Sequence, residues 1–412
     1  MIFKSEFLNE IKERGFIYQE IEIEHLDKII SQNKISGYIG FDITSDSLHI
    51  GSLIQLMLLS WLDFYGHQSI ALVGGGTTLI GDPSGKDQSR KILSKKDIDK
   101  NIKKIEKTFS RFVNLKKNSL IINNYDWLSK LNYIDFLREF GSKVTLNRML
   151  TFESVKTRLD REQPLTILEF NYMLLQAYDF VYLNKNHNCI LQMGGSDQWG
   201  NILSGVDLIK KINKKDAFGI TSPLITNNDG SKMGKTADGA IWLNKDKISS
   251  LDFFQFWRNV NDSDVSKFLY LFTKLPLKEI KKLSLLKDQE INEAKKILAY
   301  EVTKIVRGKE DADEAVEITN NIFHSNISDA RLPNIAQEKL DIINDNFTIL
   351  DAIEKLNLVK SRSEIKRLIK SDGIKINDKV YKNNNLSLKD YSNLKEIKIN
   401  VGKKKIGILK IL

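Results

Sequence analysis

The chain has 412 residues, 28% of them charged and 41% hydrophobic, with 63 Lys+Arg against 53 Asp+Glu and a formal net charge of +10. That length accommodates roughly two to four domains with sizeable cores, and the hydrophobic fraction excludes a disordered chain. A single cysteine, Cys189, excludes an internal disulfide and a cysteine zinc cluster, and points to a reducing compartment.

The opening residues MIFKSEFLNEIKERG carry acids and lack both the apolar core of a signal peptide and the acid-free pattern of a transit peptide. No run of about 18 uncharged apolar residues follows, so a soluble, cytoplasmic protein without membrane attachment is expected. Residues 36–222 alternate short apolar runs with helical stretches. The runs 37–41, 69–74, 120–123 and 189–193 predict buried strands, and 52–65 and 165–183 predict helices. Such alternation predicts an α/β fold with a parallel sheet covered by helices, whose ligands sit at the C-terminal strand ends. Glycines at 74–76 and 194–195 fall where strands would end, and suit either close backbone approach to a ligand or plain turns.

Residues 248–325 change to long helical patterns with few glycines, and Asp288 is placed to cap a helix that ends at Gly308. A separate helical domain is expected there, followed by a linker over 326–345, where periodicity is weak and Pro333 stands alone. The last 67 residues, 346–412, hold 16 Lys+Arg and 7 Asp+Glu, a surplus of nine that leaves one for the rest of the chain. A basic module beside a near-neutral body reads as a polyanion-binding attachment. It begins with two short helical patterns, the second opened by Ser361 with Glu364 three residues on. Arg362, Lys366 and Lys370 share one face of that helix with Arg367 beside them, a spacing suited to successive phosphates, and short alternating strands complete the module.

Three stretches carry chemistry. In YIGFDITSDSLHIGS (38–52) a strand runs into a polar loop with Thr44 and His49, and Gly51 opens a helix whose free N–H groups suit phosphate oxygens. Taken alone, a histidine at a helix start is more often a local cap or packing residue. In DGSKMGKT (229–236), Lys232 and Lys235 flank a glycine on a turn and are placed to close over a polyphosphate. In EFNYMLLQAYD (169–179), Tyr172, Gln176 and Asp179 share one face of an otherwise apolar helix, so they need partners from neighbouring backbone or from a small polar ligand.

Together these motifs resemble those of class I aminoacyl-tRNA synthetases. The helix-opening stretch is similar to their His-Ile-Gly-His signature, and 232–236 to their KMSKS loop in a KMGKT form. With GGGTTLIGDPSGK, EFNYMLLQAYDF and GGSDQWGNI, the pattern resembles the bacterial-type tyrosyl-tRNA synthetases over nearly the whole chain.

The resemblance implies a Rossmann-like catalytic domain over 1–222 with a dimerisation insertion near 115–190, and the KMSKS-type loop and connector over 223–247. It further implies an α-helical anticodon-binding domain over 248–325 and, past the linker, a small α+β RNA-binding domain like that of a small-subunit ribosomal protein over 346–412. Tyr38 and Asp179 would read the phenol of L-tyrosine, Tyr172, Gln176 and Asp82 would lie near its α-amino group, and Gln198 would complete the pocket. Thr44, His49, Gly51, Ser52, Lys232, Lys235 and Thr236 would handle ATP, with Lys86 and Arg90 near the leaving pyrophosphate. Arg362, Lys366, Arg367 and Lys370 would contact tRNA(Tyr). Magnesium would arrive with ATP, without a dedicated protein cage or tightly bound cofactor, and the enzyme would be a homodimer. Ser52 stands where the family pattern has a second histidine. A non-catalytic RNA-binding relative is the alternative, but it would have no physical need to combine Tyr38, Asp179, Lys232 and Lys235.

Overall fold

The structure is a computed structural model that describes residues 2–82, 93–226, 233, 235–236, 239–324, 333–359, 361–383, 385–402 and 405–412. Its contacts divide into two compact units, Met1–Lys309 and Glu310–Leu412.

The first unit is built on a six-stranded sheet of β1 (Gln19–Ile21), β2 (Ser36–Phe41), β3 (Gln68–Val73), β4 (Leu120–Asn123), β5 (Cys189–Gly195) and β6 (Phe218–Ser222), in the order β1-β6-β5-β2-β3-β4. All neighbours run parallel except β1, which closes one edge antiparallel to β6. The expected strands are all present. They read as continuous apolar runs because helices cover both faces, so alternation has no physical basis here. The chain leaves β2 towards β3 and β4 and later returns to β5 on the other side of β2. The strand order therefore reverses between β2 and β5, and a crevice opens at their C-terminal ends.

The helices fix what faces that crevice. Leu53–Phe64 is buried almost all round, from Leu53 to Leu62, which explains its weak amphipathic pattern. The long helix Ile167–His187 begins with a capping box between Thr166 and Glu169 and ends at Asn188 in the left-handed conformation. The buried Arg158 guanidinium also reaches Glu169, at 2.9 Å, fixing where this helix starts. The helices Ser250–Arg258, Asp262–Phe272 and Ile291–Arg307 pack around Trp257, Phe268 and Phe272. Asp288 does not cap the last of these: it sits at φ +49° in a 3-10 turn, and the helix begins after Glu290 without a side-chain cap. The expected end at Gly308 holds, at φ +104°. Two further strands, β7 (Lys235–Thr236) and β8 (Gly239–Ala240), pair antiparallel.

The second unit carries a five-stranded sheet of β9 (Asn334–Gln337), β10 (Ile374–Ile376), β11 (Lys379–Val380), β12 (Glu396–Val401) and β13 (Lys405–Ile411), in the order β11-β10-β12-β13-β9. The segment 326–345, read as a linker, is in part structural. β9 pairs parallel with β13, and the helix Lys339–Ile343 sends Ile342 into the core with Ile353, Ile365 and Leu409. The edge of β13 needs a partner for its N–H and C=O groups. A four-residue strand whose side chains alternate exposed and half-buried, with none fully buried, supplies one while leaving little apolar signal to read.

Ile342→Ala should lower the unfolding free energy of the full chain by about 2–5 kcal/mol in chemical denaturation, as for other fully buried isoleucines. A change below about 0.5 kcal/mol is what a linker residue would give.

Candidate active site

The crevice at the ends of β2 and β5 is a cavity of about 510 Å³. Tyr38, from β2, lies at its base, 1% exposed, with its ring 5.2 Å from that of Phe180. Asp179, on the long helix, is equally buried and accepts hydrogen bonds from Asn124 Nδ2 and Trp127 Nε1, both at 2.8 Å. Burial pushes its carboxyl up to about 7 against the two donated hydrogen bonds, and nearby Asp42 adds to the rise. Burial and the Asp179 charge also raise the Tyr38 phenol well above its ordinary range. An un-ionised Tyr38 hydroxyl beside a hydrogen-bonded carboxyl is a donor–acceptor pair suited to a ligand hydroxyl.

A second polar cluster lines another part of the cavity. Tyr172 donates its hydroxyl to Asp42 Oδ2 at 3.2 Å, and Thr77 Oγ1 donates to Asp42 Oδ1 at 2.9 Å. Gly74 is required there, because a Cβ would lie 2.6 Å from Asp42 Oδ1 and 2.5 Å from Thr77 Oγ1. Gln176 Nε2 donates to Gln198 Oε1 at 3.3 Å, and Gln198 Nε2 donates to Asp82 Oδ2 at 3.0 Å. Two carboxylates, Asp42 and Asp82, thus stand in the wall of the cavity among neutral donors from Tyr172, Thr77 and Gln198.

The loop after β2 supplies a third region. His49 Nδ1 accepts from Gly51 N at 2.9 Å, so the histidine does cap the turn Ile50–Ser52, and its ring also lines the cavity with Gly51 and Ser52. A Cβ on Gly51 would fall 2.7 Å from the His49 ring, so the signature requires glycine at this position. Thr44 is exposed and is not among the residues lining the cavity. Met233 and Ala240 line it, bringing the neighbourhood of the second signature to the same space. Of Lys235 and Thr236 only the backbone, in β7, is described. Lys86, Arg90 and Lys232 lie outside the described residues.

Four residues that line this cavity each carry a buried side-chain atom with no hydrogen-bond partner among the described residues: Tyr38 Oη, Gln55 Oε1, Gln176 Oε1 and Gln192 Oε1. Unpaired buried polar groups are costly unless a ligand or water completes them, so their grouping in the walls of one cavity suits a polar ligand. The structure thus places Tyr38, Asp82, Tyr172, Gln176, Asp179 and Gln198 in the walls of one cavity. Sequence reasoning missed Asp42, Asn124, Trp127, Gln55 and Gln192. Asp42 stood inside a quoted motif, and its placement directly after a strand was the available signal; Asn124 and Trp127 carried none.

In the second unit, Arg362 departs from the expected phosphate-binding row. Its guanidinium pairs with Asp351 at 2.6 Å and Glu354 at 2.8 Å, carboxylates of the preceding helix Ile349–Lys355. Lys366, Arg367 and Lys370 remain exposed along the helix Arg362–Lys370.

Residues 31–324 match the family of class I tRNA synthetases for tryptophan and tyrosine. The chain is 50% identical to the tyrosine–tRNA ligase of Wolbachia pipientis subsp. Culex pipiens, over 98% of this chain and 97% of that protein. It is 49% identical to that of Pelagibacter ubique, over 97% and 98% respectively. Among solved structures, a C-terminally truncated Aspergillus nidulans mitochondrial tyrosyl-tRNA synthetase superposes with a TM-score of 0.70 at 29% identity, covering 77% of this chain and 94% of that one. An Archaeoglobus fulgidus tyrosyl-tRNA synthetase complexed with L-tyrosine shares the fold, with a TM-score of 0.56 at 15% identity over 76% of this chain and all of that one.

The buried carboxyl gives a pH signature. With a folded value of about 7 for Asp179 and about 4 for an unfolded carboxylate, the folded chain holds the extra proton between those limits. The stability contributed by this group is therefore full at low pH and falls as pH rises towards 7. In urea unfolding at pH 5 and pH 8, the stability of the parent minus that of Asp179→Asn should decrease at the higher pH. An equal difference at both would mean that Asp179 titrates like a free carboxylate.

Proposed function

The chain belongs to the tryptophan and tyrosine class I tRNA synthetases and is a tyrosine–tRNA ligase in function, and we propose that the cavity at the ends of β2 and β5 binds tyrosine and activates it with ATP. The carrying observation is that four residues lining one cavity beside Asp179, Tyr38 among them, carry buried polar atoms without a partner among the described residues. In this reading Tyr38 and Asp179 pair with the substrate phenol. Phenylalanine would leave the buried Tyr38 hydroxyl without a partner, which disfavours it more strongly than the loss of one exposed contact. The α-ammonium lies against Asp42, Asp82, Tyr172 and Gln176, with Gln198 holding Asp82.

Tyrosine's own carboxylate then attacks the α-phosphorus of ATP, forming a carboxyl–phosphate bond as pyrophosphate leaves. A carboxylate is already a nucleophile at neutral pH, so the protein supplies alignment and charge stabilisation rather than a general base. His49, Gly51 and Ser52 at the helix start, together with Thr44, Lys232, Lys235 and Thr236, are assigned to ATP, and Lys86 and Arg90 to the leaving pyrophosphate. Magnesium enters as the counterion of the ATP phosphates. In the second step a ribose hydroxyl at the 3′ end of tRNA(Tyr) displaces AMP from the adenylate.

The domain roles follow the same reading. The helices over 248–325 are assigned to the anticodon, and the basic module over 346–412, through Lys366, Arg367 and Lys370, to tRNA phosphates. Arg362 contributes by holding its own helix to Ile349–Lys355. The chain acts as a homodimer through the insertion near 115–190, where Tyr133, Ile134, Leu146 and Ile167 are each more than 60% exposed. No helix among the described residues is long and apolar enough to cross a membrane, and the reading places the enzyme in the cytoplasm with its tRNA.

Tyrosine-dependent exchange of pyrophosphate into ATP without tRNA is the direct test, and its absence would remove the activating reaction. Tyr38→Phe should retain exchange while lowering the preference for tyrosine over phenylalanine by about tenfold, the worth of one neutral hydrogen bond. Lys366→Glu combined with Arg367→Glu should leave exchange unchanged and reduce charging at subsaturating tRNA by about tenfold, with a shallower salt dependence.

A further inference from the structure

Both nucleotide signatures depend on one short segment of backbone, residues 239–250. At its front, β8 pairs with β7, the strand that carries Lys235 and Thr236. Its middle pairs with the His49 loop. Ile50 N donates to Ile241 O at 2.9 Å, Leu243 N donates to Leu48 O at 2.8 Å, and His49 bridges Trp242. Asn244 then ties the segment to the start of the same loop. Its N–H donates to Ser47 Oγ at 3.2 Å and its Nδ2 to Asp46 O at 3.3 Å, while Lys247 pairs with the Asp46 carboxylate at 2.7 Å.

The rear of this splint is held by one side chain. Arg307, the last residue of the helix Ile291–Arg307, is 4% exposed. Its Nε donates to Leu243 O at 3.1 Å, Nη2 to Trp242 O at 3.2 Å, and Nη1 to Ile248 O at 2.8 Å and Ser250 Oγ at 3.3 Å. The guanidinium also lies over the Phe253 ring, 4.5 Å from its centroid. A planar fork that reaches three carbonyls and a hydroxyl at once fixes the position and the tilt of the segment, and lysine lacks that geometry. The tyrosine half hangs on other elements: Tyr38 on β2, and Tyr172, Gln176 and Asp179 on the helix Ile167–His187.

We infer that Arg307 is a positioning residue for the ATP half of the site, coupling the end of the helical domain to both nucleotide signatures through residues 239–250. The inference rests on the adenylate-forming reading above. Arg307 touches no substrate; it acts by keeping the His49 loop and the strand β7 in register, and small misplacements of phosphate-handling groups are costly in rate.

The experiment compares the parent enzyme with Arg307→Ala, Arg307→Lys and Asn244→Ala in pyrophosphate exchange and in tyrosine binding by equilibrium dialysis. Arg307→Ala should lower kcat/KM for ATP by about tenfold or more while changing the tyrosine dissociation constant by less than about twofold, with Arg307→Lys in between. Asn244→Ala, which removes the side-chain hydrogen bonds to Asp46 O and Thr108 while leaving the backbone pairing and Arg307 in place, should show a smaller loss on the same ATP side. If Arg307→Ala does not fold, Arg307→Lys and Asn244→Ala carry the test. ATP parameters within about twofold of the parent, or equal losses for ATP and tyrosine, would overturn the inference. Absence of exchange in the parent enzyme would instead overturn the adenylate-forming reading, so the two failures are distinguishable.

Discussion

Everything in the first unit depends on β2 being paired on both sides, to β3 on one and β5 on the other, all parallel. Parallel pairing forces crossover connections, and these carry the chain away on one side of β2 and bring it back on the other. No helix can then cover the ends of β2 and β5, because the chain departs from them in opposite directions. That single topological fact leaves an opening at the ends of these strands. It also determines that Tyr38, the loop leading to His49, and the turn after Gly195 all face the same space.

Electrostatics divides that space. At the base, burial dominates: Asp179 has lost water and holds its proton up to about 7, and only Asn124 and Trp127 oppose the shift. A charged ligand group would be costly there, whereas a neutral hydroxyl completes the pair. Nearer the second cluster, Asp42 accepts from Tyr172 and Thr77, so a carboxylate and neutral donors share that part of the wall. In the proposed reading, a zwitterionic amino acid with a neutral hydroxyl at its far end addresses both regions in one orientation. In the third region the N–H groups of the helix start are already spent on protein acceptors, Ile50 N on Ile241 O and Gly51 N on His49 Nδ1, so there it is the position of the loop that is fixed.

What was legible in the chain was local or carried by its own spacing. The strands and the long helix announced themselves by apolar runs and caps, and Tyr172, Gln176 and Asp179 declared a shared face because helical spacing is fixed. What was not legible depended on partners distant in sequence. Asp42 becomes a site residue only when a tyrosine 130 positions away donates to it. Asn124 and Trp127 both donate to Asp179, more than 50 positions on, a pairing that their own neighbourhoods do not announce. Arg362 looked like one member of a cationic row, and two carboxylates of the preceding helix neutralise it instead. Likewise β9 is a strand because β13 has an edge to cover, and nothing within its own four residues requires it.

The same distinction explains why a basic tail and a nearly neutral body can serve one reaction. In the tail, charge acts in bulk, through exposed Lys366, Arg367 and Lys370 whose individual positions are loose and whose effect is screened by salt. In the body, the contrast is Arg307, a buried cation that donates to three backbone carbonyls. A charge in water attracts polyanions over a distance, whereas one removed from water and hydrogen-bonded to backbone fixes geometry. On the proposed reading, net charge sets how a nucleic acid is drawn in, and the placement of a few buried donors sets how accurately the small substrates are held.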